Sequence, residues 1–239
     1  MVATSDGKLW VVADIPNKLI VVDPARCAIK AAYDCPAKGA HQMALLPDES
    51  KVYVSCKEGD LCVFDRTRRA RTAKVPMHAP GVMSGNSSEG VMPTPAGDRV
   101  VAIDNTGNDL RVINAQTDSE IDHVPLVWCP PSDPKRSRLA ELMFSPDGRH
   151  LVVTSYASAL AWVIDAGDLR RQRMVPLAKG PRGMAFPPDG KSVIVASHDS
   201  GLLTRIDVAN HARWRHTAAV AGSRCWRVTT HPLLPTQGP

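Results

Sequence analysis

Aromatic side chains are scarce in this sequence: three phenylalanines, three tyrosines and five tryptophans make up 5% of its 239 residues. Val, Ile, Leu, Ala and Met must therefore fill whatever core it builds. No apolar run approaches the roughly 20 residues that a membrane-spanning helix needs. Helical spacing of apolar residues is absent as well. Met1 to Val12 lack the charged, apolar and cleavage regions of a secretory leader. These absences predict a soluble protein, either cytoplasmic or exported with its leader outside this sequence. There is no Gly-x-Ser-x-Gly elbow, phosphate loop or dinucleotide fingerprint. His-x-His, His-x-x-His and Cys-x-x-Cys-His spacings are missing too, which excludes covalent c-type haem attachment.

What the chain has instead is one unit, repeated. In its clearest copy, Pro181 to Asp207, a strand from Gly183 to Phe186 meets a turn at Pro188-Asp189-Gly190. A second strand (Ser192 to Ala196), a polar loop (Ser197 to Gly201) and a third strand ending at Asp207 follow. Proline pre-sets the dihedral that opens the turn, aspartate bonds its own backbone, and glycine accepts positive φ. Related turns occur at Ser5-Asp6-Gly7, Pro47-Asp48-Glu49, Pro95-Ala96-Gly97 and Pro146-Asp147-Gly148. A polar residue closes each third strand: Asp23, Asp65, Asn114, Asp165 and Asp207, at spacings of 42, 49, 51 and 42 residues. A period in the forties with three or four short strands per unit is the signature of propeller blades.

The succession of strand, Pro-Asp-Gly turn, strand, polar loop and strand closed by Asp resembles the YVTN family of β-propeller repeats. Similar units occur in lactonase-like and amine-dehydrogenase-like propellers. The resemblance runs from about Ser5 to His231 and implies an all-β propeller of about five four-stranded blades. The predicted blades are 6–35 completed by 224–231, then 39–76, 87–124, 138–176 and 180–220, in a single domain. Only Val2-Ala3 hints at a first strand for the first blade, while Cys225 to His231 is spaced like a first strand with no blade after it. The C-terminal strand is therefore expected to complete the first blade and close the ring. The alternative is a fragment of a larger propeller. The resemblance implies little about chemistry, since many unrelated functions share the repeat.

The formal charge of +5 would suit an acidic partner, but the basic residues are scattered. The densest group, Arg66 to Arg71, falls where a third strand turns into a fourth and reads as a solvated outer turn. A nucleic-acid partner is not favoured. Six cysteines allow fifteen pairings in an oxidising compartment, and Cys56 and Cys62 flank one loop. Small buried thiols are ordinary in such core-facing runs, so free thiols are expected.

In a propeller the first strand of each blade lines the central channel. Counting back from each turn, the position of Arg182 corresponds to His41, Glu89, Ala140 and Trp226. His41, Glu89, Arg182 and Trp226 are thus the predicted ligand-binding ring at one mouth. Arg182 suits a carboxylate or phosphate, Glu89 a base, and His41 a proton carrier. An Arg182–Glu89 pair or a Trp226 plug would be the purely structural outcome. Two irregular segments, 79–90 and 128–138, precede first strands and are expected on the same face.

Propellers of similar repeat hold copper, calcium or haem-type groups, yet no spacing here singles out a metal set; His41, His78 and Glu89 could meet only through the fold. The cofactor stays unknown. His198-Asp199-Ser200 has the letters of a triad but is a polar loop at a position also held by Lys57-Glu58 and Asn105-Thr106. The function expected is binding of a small molecule or a protein at the channel mouth. The alternative is a metal-assisted lactonase, lyase or oxidoreductase acting there.

Overall fold

The computed structural model describes residues 1–35, 39–56, 58–77, 90–105, 107–127 and 138–210, together with the backbone of 213–218. Among these residues the chain is all-β. Blade 1 contains β1 (Val2–Ala3), β2 (Leu9–Ala13), β3 (Lys18–Asp23) and β4 (Ala28–Asp34). Blade 2 contains β5 (Ala40–Leu45), β6 (Lys51–Cys56), β7 (Asp60–Asp65) and β8 (Ala70–Pro76). Blade 3 contains β9 (Val91–Pro93), β10 (Arg99–Asp104), β11 (Asp109–Asn114) and β12 (Ser119–Pro125). In blade 4 are β13 (Leu139–Phe144), β14 (His150–Ser155), β15 (Leu160–Asp165) and β16 (Gln172–Pro176). Blade 5 holds β17 (Pro181–Ala185), β18 (Ser192–Ser197), β19 (Leu202–Asp207) and β20 (Arg213–Ala218). Each blade is a four-stranded sheet whose strands pair antiparallel in chain order. No helix among the described residues is long and apolar enough to cross a membrane.

The two sequence landmarks are both side-chain-closed turns. In the turn after each first strand an aspartate accepts the backbone N–H two residues on: Asp48 from Ser50 at 3.0 Å, Asp147 from Arg149 at 3.1 Å and Asp189 from Lys191 at 3.1 Å. Blade 3 has Ala96 at that point, and its acid moves to Asp98, which accepts from the Thr94 hydroxyl at 2.7 Å. The residue closing each third strand caps the next turn in the same way. Asp65 accepts from the Arg68 N–H at 2.8 Å, Asn114 from Gln116 at 2.9 Å and Asp207 from Ala209 at 3.0 Å.

Successive blades pack through their inner strands, β1 and β2 on β5, β5 and β6 on β9, β9 and β10 on β13, β13 and β14 on β17. Because both faces are covered, the second strands of the three central blades are buried at every residue after the first. The outer strands β4, β8, β12 and β16 are largely exposed or half-buried. Trp162, fully buried between blades 3 and 4, donates its indole N–H to the Val127 carbonyl at 2.8 Å. Between blades 2 and 3, Lys51 and the buried Tyr53 both bond the Asp118 carboxylate, at 2.8 and 2.5 Å. Arg66 is not the solvated residue expected of its basic turn. It bonds the Glu49 carboxylate at 2.8 Å and lies 5.7 Å from the centre of the Trp10 ring, tying blade 2 to blade 1.

A second interlock runs along the turn end. Gly97, Gly148 and Gly190 have φ of 75°, 71° and 64°, and each faces the turn proline of the preceding blade. A Cβ on them would lie 3.0 Å from Pro47, 2.9 Å from Pro95 and 3.3 Å from Pro146. Gly7 in blade 1 has the same backbone, φ 71°, but nothing described within 4 Å. Blade 2 has Glu49 at this place, with φ 57°, and its carboxylate accepts from the Ser5 N–H and hydroxyl of blade 1 at 2.8 and 2.9 Å. The inner place of the first sheet is held by β1, with Val2 opposite Trp10. The strand expected to close the ring, Cys225 to His231, lies outside the described residues.

Two outcomes follow. A left-handed non-glycine residue costs about 1–2 kcal/mol, so Gly7→Ala should lower stability by about 1 kcal/mol. Gly148→Ala should cost visibly more, about 2 kcal/mol or above, because it also displaces Pro95; urea midpoints of the two variants compare them. Hydrogen bonds hold the turn carboxyls of Asp48 and Asp147 below their usual value of 3.8, from the Ser50 backbone and the Ser145 hydroxyl respectively. A depressed folded value adds stability above the unfolded value and loses it as pH falls through the folded one. Stability should therefore fall progressively below about pH 4, and less steeply in Asp147→Asn.

Candidate functional site

Antiparallel pairing puts the starts of the first strands and the loops between second and third strands at one end of every blade, opposite the Pro-Asp-Gly turns. At that mouth a β-bulge recurs. Pairing skips from Ala40 to Met43 in β5, from Leu139 to Glu141 in β13 and from Pro181 to Gly183 in β17. The skipped residues include the positions selected by counting back from the turn, His41, Ala140 and Arg182, with Gln42 skipped as well in β5. A bulged residue is released from the alternation of its strand, so its side chain is re-aimed. Ala140 is buried, His41 half-buried and Arg182 exposed. Glu89 and Trp226, the other two predicted ring members, lie outside the described residues, as does His78.

Arg182 does not stand alone. Its guanidinium carbon is 5.3 Å from the centre of the Tyr156 ring, and that of Arg138 is 5.5 Å from the same ring. The Tyr156 hydroxyl donates to Asp199 at 2.7 Å, and His198 Nδ1 lies 3.0 Å from the same carboxylate oxygen. Tyr156 and His198 are the first residues of the second loops of blades 4 and 5, directly after β14 and β18. At the same place in blade 3, Asn105 bridges to the next blade by bonding both the N–H and carbonyl of Leu139, at 2.5 and 3.1 Å. Asn17 does so between blades 1 and 2, accepting from the Ala40 N–H at 2.9 Å. Between blades 4 and 5 the structural amide is replaced by a phenol bonded to a carboxylate.

Backbone geometry sets this cluster. Gly39 and Gly180 precede β5 and β17 with φ of 73° and 74°, and the equivalent residue before β13 is Arg138, with φ 34°. Gly180 packs directly on Asp199, whose Cγ would lie 2.6 Å from an added Cβ. The hydrogen bond to Asp199 raises the Tyr156 phenol above its ordinary value, so it stays a donor. Hydrogen bonds from His198 and then Tyr156 hold the Asp199 carboxyl below the usual carboxylate value. Ser200 does not complete a triad; its hydroxyl turns back to the Ser197 carbonyl at 3.4 Å. Among the described residues no three His, Cys, Asp or Glu side chains converge to hold a metal ion.

Residues 34–213 match the family model described as lactonase, seven-bladed β-propeller. The chain belongs to this family. The likeness of its repeat to lactonase-like propellers is thereby borne out, and the five described sheets of this lactonase-family chain compare with seven blades in the family description. No curated protein matches the sequence. Among solved structures, the dihydro-heme d1 dehydrogenase NirN in complex with DHE has a TM-score of 0.72 at 17% identity, over 93% of this chain and 46% of that one. Virginiamycin B lyase from Staphylococcus aureus gives 0.73 at 14% identity, over 91% of this chain and 68% of that one. Hydrazine synthase from Kuenenia stuttgartiensis gives 0.64 at 18% identity, over 84% and 60%. The lactonase-family chain thus spans under half of the first. At these identities the likeness is one of fold.

Counting found Arg182 but not its neighbours. Tyr156 is one of only three tyrosines and opens a loop, a scarcity that could have flagged it. In sequence the loop of His198 and Asp199 reads only as a polar turn, and Arg138 falls at the end of an irregular segment. Cys56 and Cys62 do face each other, with Sγ atoms 3.8 Å apart, and both are buried thiols without a disulfide, as is Cys35. Burial pushes the Cys35 thiol up to about 12. Cys129 and Cys225 lie outside the described residues.

If Gly180 is needed for Asp199 to reach Tyr156, Gly180→Ala should release the phenol. Its titration should move down toward the ordinary value near 10, as it should in Asp199→Asn. NMR of Cζ-labelled tyrosine reads this directly, and an unmoved Tyr156 in both variants would contradict the arrangement.

Proposed function

We propose that the protein is a ligand-binding propeller whose site lies at the mouth between blades 4 and 5, built from Arg138, Tyr156, Arg182, His198 and Asp199. The observation that carries this is the convergence of two guanidiniums on one ring that a carboxylate fixes in place. Four separate segments supply these groups, and two of them differ from the equivalent place in other blades: Arg138 stands where blades 2 and 5 have glycine, and Tyr156 stands where blade 3 has Asn105. A convergent polar group at a propeller mouth is where a small molecule or an extended peptide side chain would be held. His41, on the bulge of blade 2, belongs to the same mouth. Glu89 and Trp226 remain proposed members of it.

A second reading, enzymatic action at the same mouth, is favoured by the family's description as lactonase. Water would add to the lactone carbonyl, the ring oxygen would leave as a hydroxyl, and a hydroxy acid would result. His198, oriented by Asp199, is placed to take the proton from that water, and the arginines to hold the carboxylate formed. The described residues supply no three-ligand metal group, so the metal-assisted form of this reading gains no ligand set from them and no step is assigned to a metal.

Thermal stabilisation by a metabolite panel tests the first reading. Arg182→Gln combined with His198→Ala changes two exposed side chains and should leave the melting temperature of the unliganded protein within a few degrees. It should reduce the ligand-induced rise at least severalfold; an unchanged rise would remove the site from blades 4 and 5. Steady-state hydrolysis of a simple lactone that survives in the wild type and falls at least tenfold in His198→Ala would favour the enzymatic reading.

A further inference from the structure

We infer that Cys56 and Cys62 form a reversible dithiol–disulfide couple, oxidised by small disulfides such as glutathione disulfide when the β6–β7 hairpin opens. This modification site is independent of the mouth site between blades 4 and 5. Three observations carry it. First, the two Sγ atoms lie 3.8 Å apart without a disulfide between them. A disulfide holds its sulfurs about 2.05 Å apart, so closure requires only about 1.8 Å of movement. Second, the repeat itself brings these two positions together. Cys56 ends β6 opposite Asp60 and Cys62 lies opposite Val54, so both project from neighbouring strands on the face that packs on blade 1. In blade 3 the same positions, the last of β10 and the third of β11, hold Asp104 and Arg111, which bond each other at 2.7 Å. Third, the fold does not require cysteine there. Blade 1 has Ala13 and Ile20 at these positions, blade 4 Ser155 and Trp162, and blade 5 Ser197 and Thr204. Among the described blades, only the second puts a thiol at both members of this touching pair.

Both thiols are fully buried, and the hydrogen bond between them, together with burial, pushes the Cys56 thiol above its ordinary value. A thiol held in that way is a poor nucleophile. Exchange therefore proceeds through local opening of the hairpin, and the couple responds slowly to its surroundings. The opened Cys56 thiolate attacks one sulfur of the small disulfide and releases one small thiol. Cys62 then attacks the mixed disulfide at the Cys56 sulfur and releases the second. Two protein S–H bonds and one small-molecule S–S bond break, while one protein S–S bond and two small-molecule S–H bonds form. The two electrons pass from the protein sulfurs to the two small thiols, which also take up the two protons. Cys35, a third thiol of the same apolar cluster, comes from blade 1 and serves as the internal control.

Refolding of the full chain from urea in glutathione buffers of graded oxidised-to-reduced ratio, followed by acid quench, alkylation and non-reducing peptide mapping, tests the couple. One bridge joining the peptides of Cys56 and Cys62, with loss of two hydrogen atoms, should appear as the ratio rises and vanish in excess reduced glutathione. Because the bridge closes a short loop, it should raise the melting temperature by only a few degrees. In the folded protein the same oxidation should be slow, and at least tenfold faster in urea below the unfolding transition. Cys35→Ser should leave the bridge intact, whereas Cys62→Ser should leave only a mixed disulfide with glutathione. Both thiols still open to alkylation after refolding in the most oxidising buffer would overturn the inference, as would a bridge that uses Cys35 in place of either. A folded-state rate indifferent to urea would overturn the gating by hairpin opening. The wild-type peptide map decides the pairing without any variant, so a misfolded Cys62→Ser does not shelter the proposal.

Discussion

A sheet of four short strands cannot bury its own two faces, and every other feature of this molecule answers to that constraint. The second strands of the central blades are apolar on both sides because a neighbouring blade lies on each. Several polar groups enter these interfaces with a partner in the adjacent blade, as with Lys51 and Tyr53 on Asp118, Trp162 on Val127, and Arg66 on Asp6. Each large apolar side chain taken out of water contributes about 1.5–3 kcal/mol. Leu61, Ile103, Leu110 and Ile164, all fully buried, lie between blades and thus stabilise two units at once. The stability of any one blade belongs in good part to its neighbours.

Against that common frame, the proposed mouth site lies where the repeat is broken. Asn17 and Asn105 show what the junction between blades looks like when it is only structural: an amide that imitates a strand edge and satisfies the next blade's first N–H. At the junction of blades 4 and 5 the loop position of Asn105 holds Tyr156, whose hydroxyl is committed to Asp199 and whose ring meets two arginines. The cluster is ordered by local bonds that cross from blade 4 to blade 5.

How much of this could be read from the amino acids alone depends on whether a feature is local or spatial. The strands and turns were legible because their causes lie within five residues: β-branched runs, an aspartate two residues before the N–H it accepts, a glycine where φ must be positive. Asp48, Asp147 and Asp189 behave as their sequence context demands. Arg182 was legible because counting from such a turn preserves register, and the bulge at Pro181 to Gly183 sits at the counted position. Arg138, Tyr156 and Asp199 were not, since nothing near them in sequence announces that three segments 18 to 61 residues apart come together. The role of Arg66 escaped for the same reason: its partners, Glu49, Asp6 and Trp10, are 17, 60 and 56 residues away.

The proline-on-glycine contact at the far end of the blades has a bearing on how such a molecule can change over time. Pro47 on Gly97, Pro95 on Gly148 and Pro146 on Gly190 are chemically one joint used three times. A joint that is identical at each use carries no record of its place in the series, so a duplicated unit meets its neighbours with fittings already cut to size. Lengthening or shortening the series is then a change of copy number, and the singular chemistry at the opposite end can diverge without disturbing the hinge line that bears it.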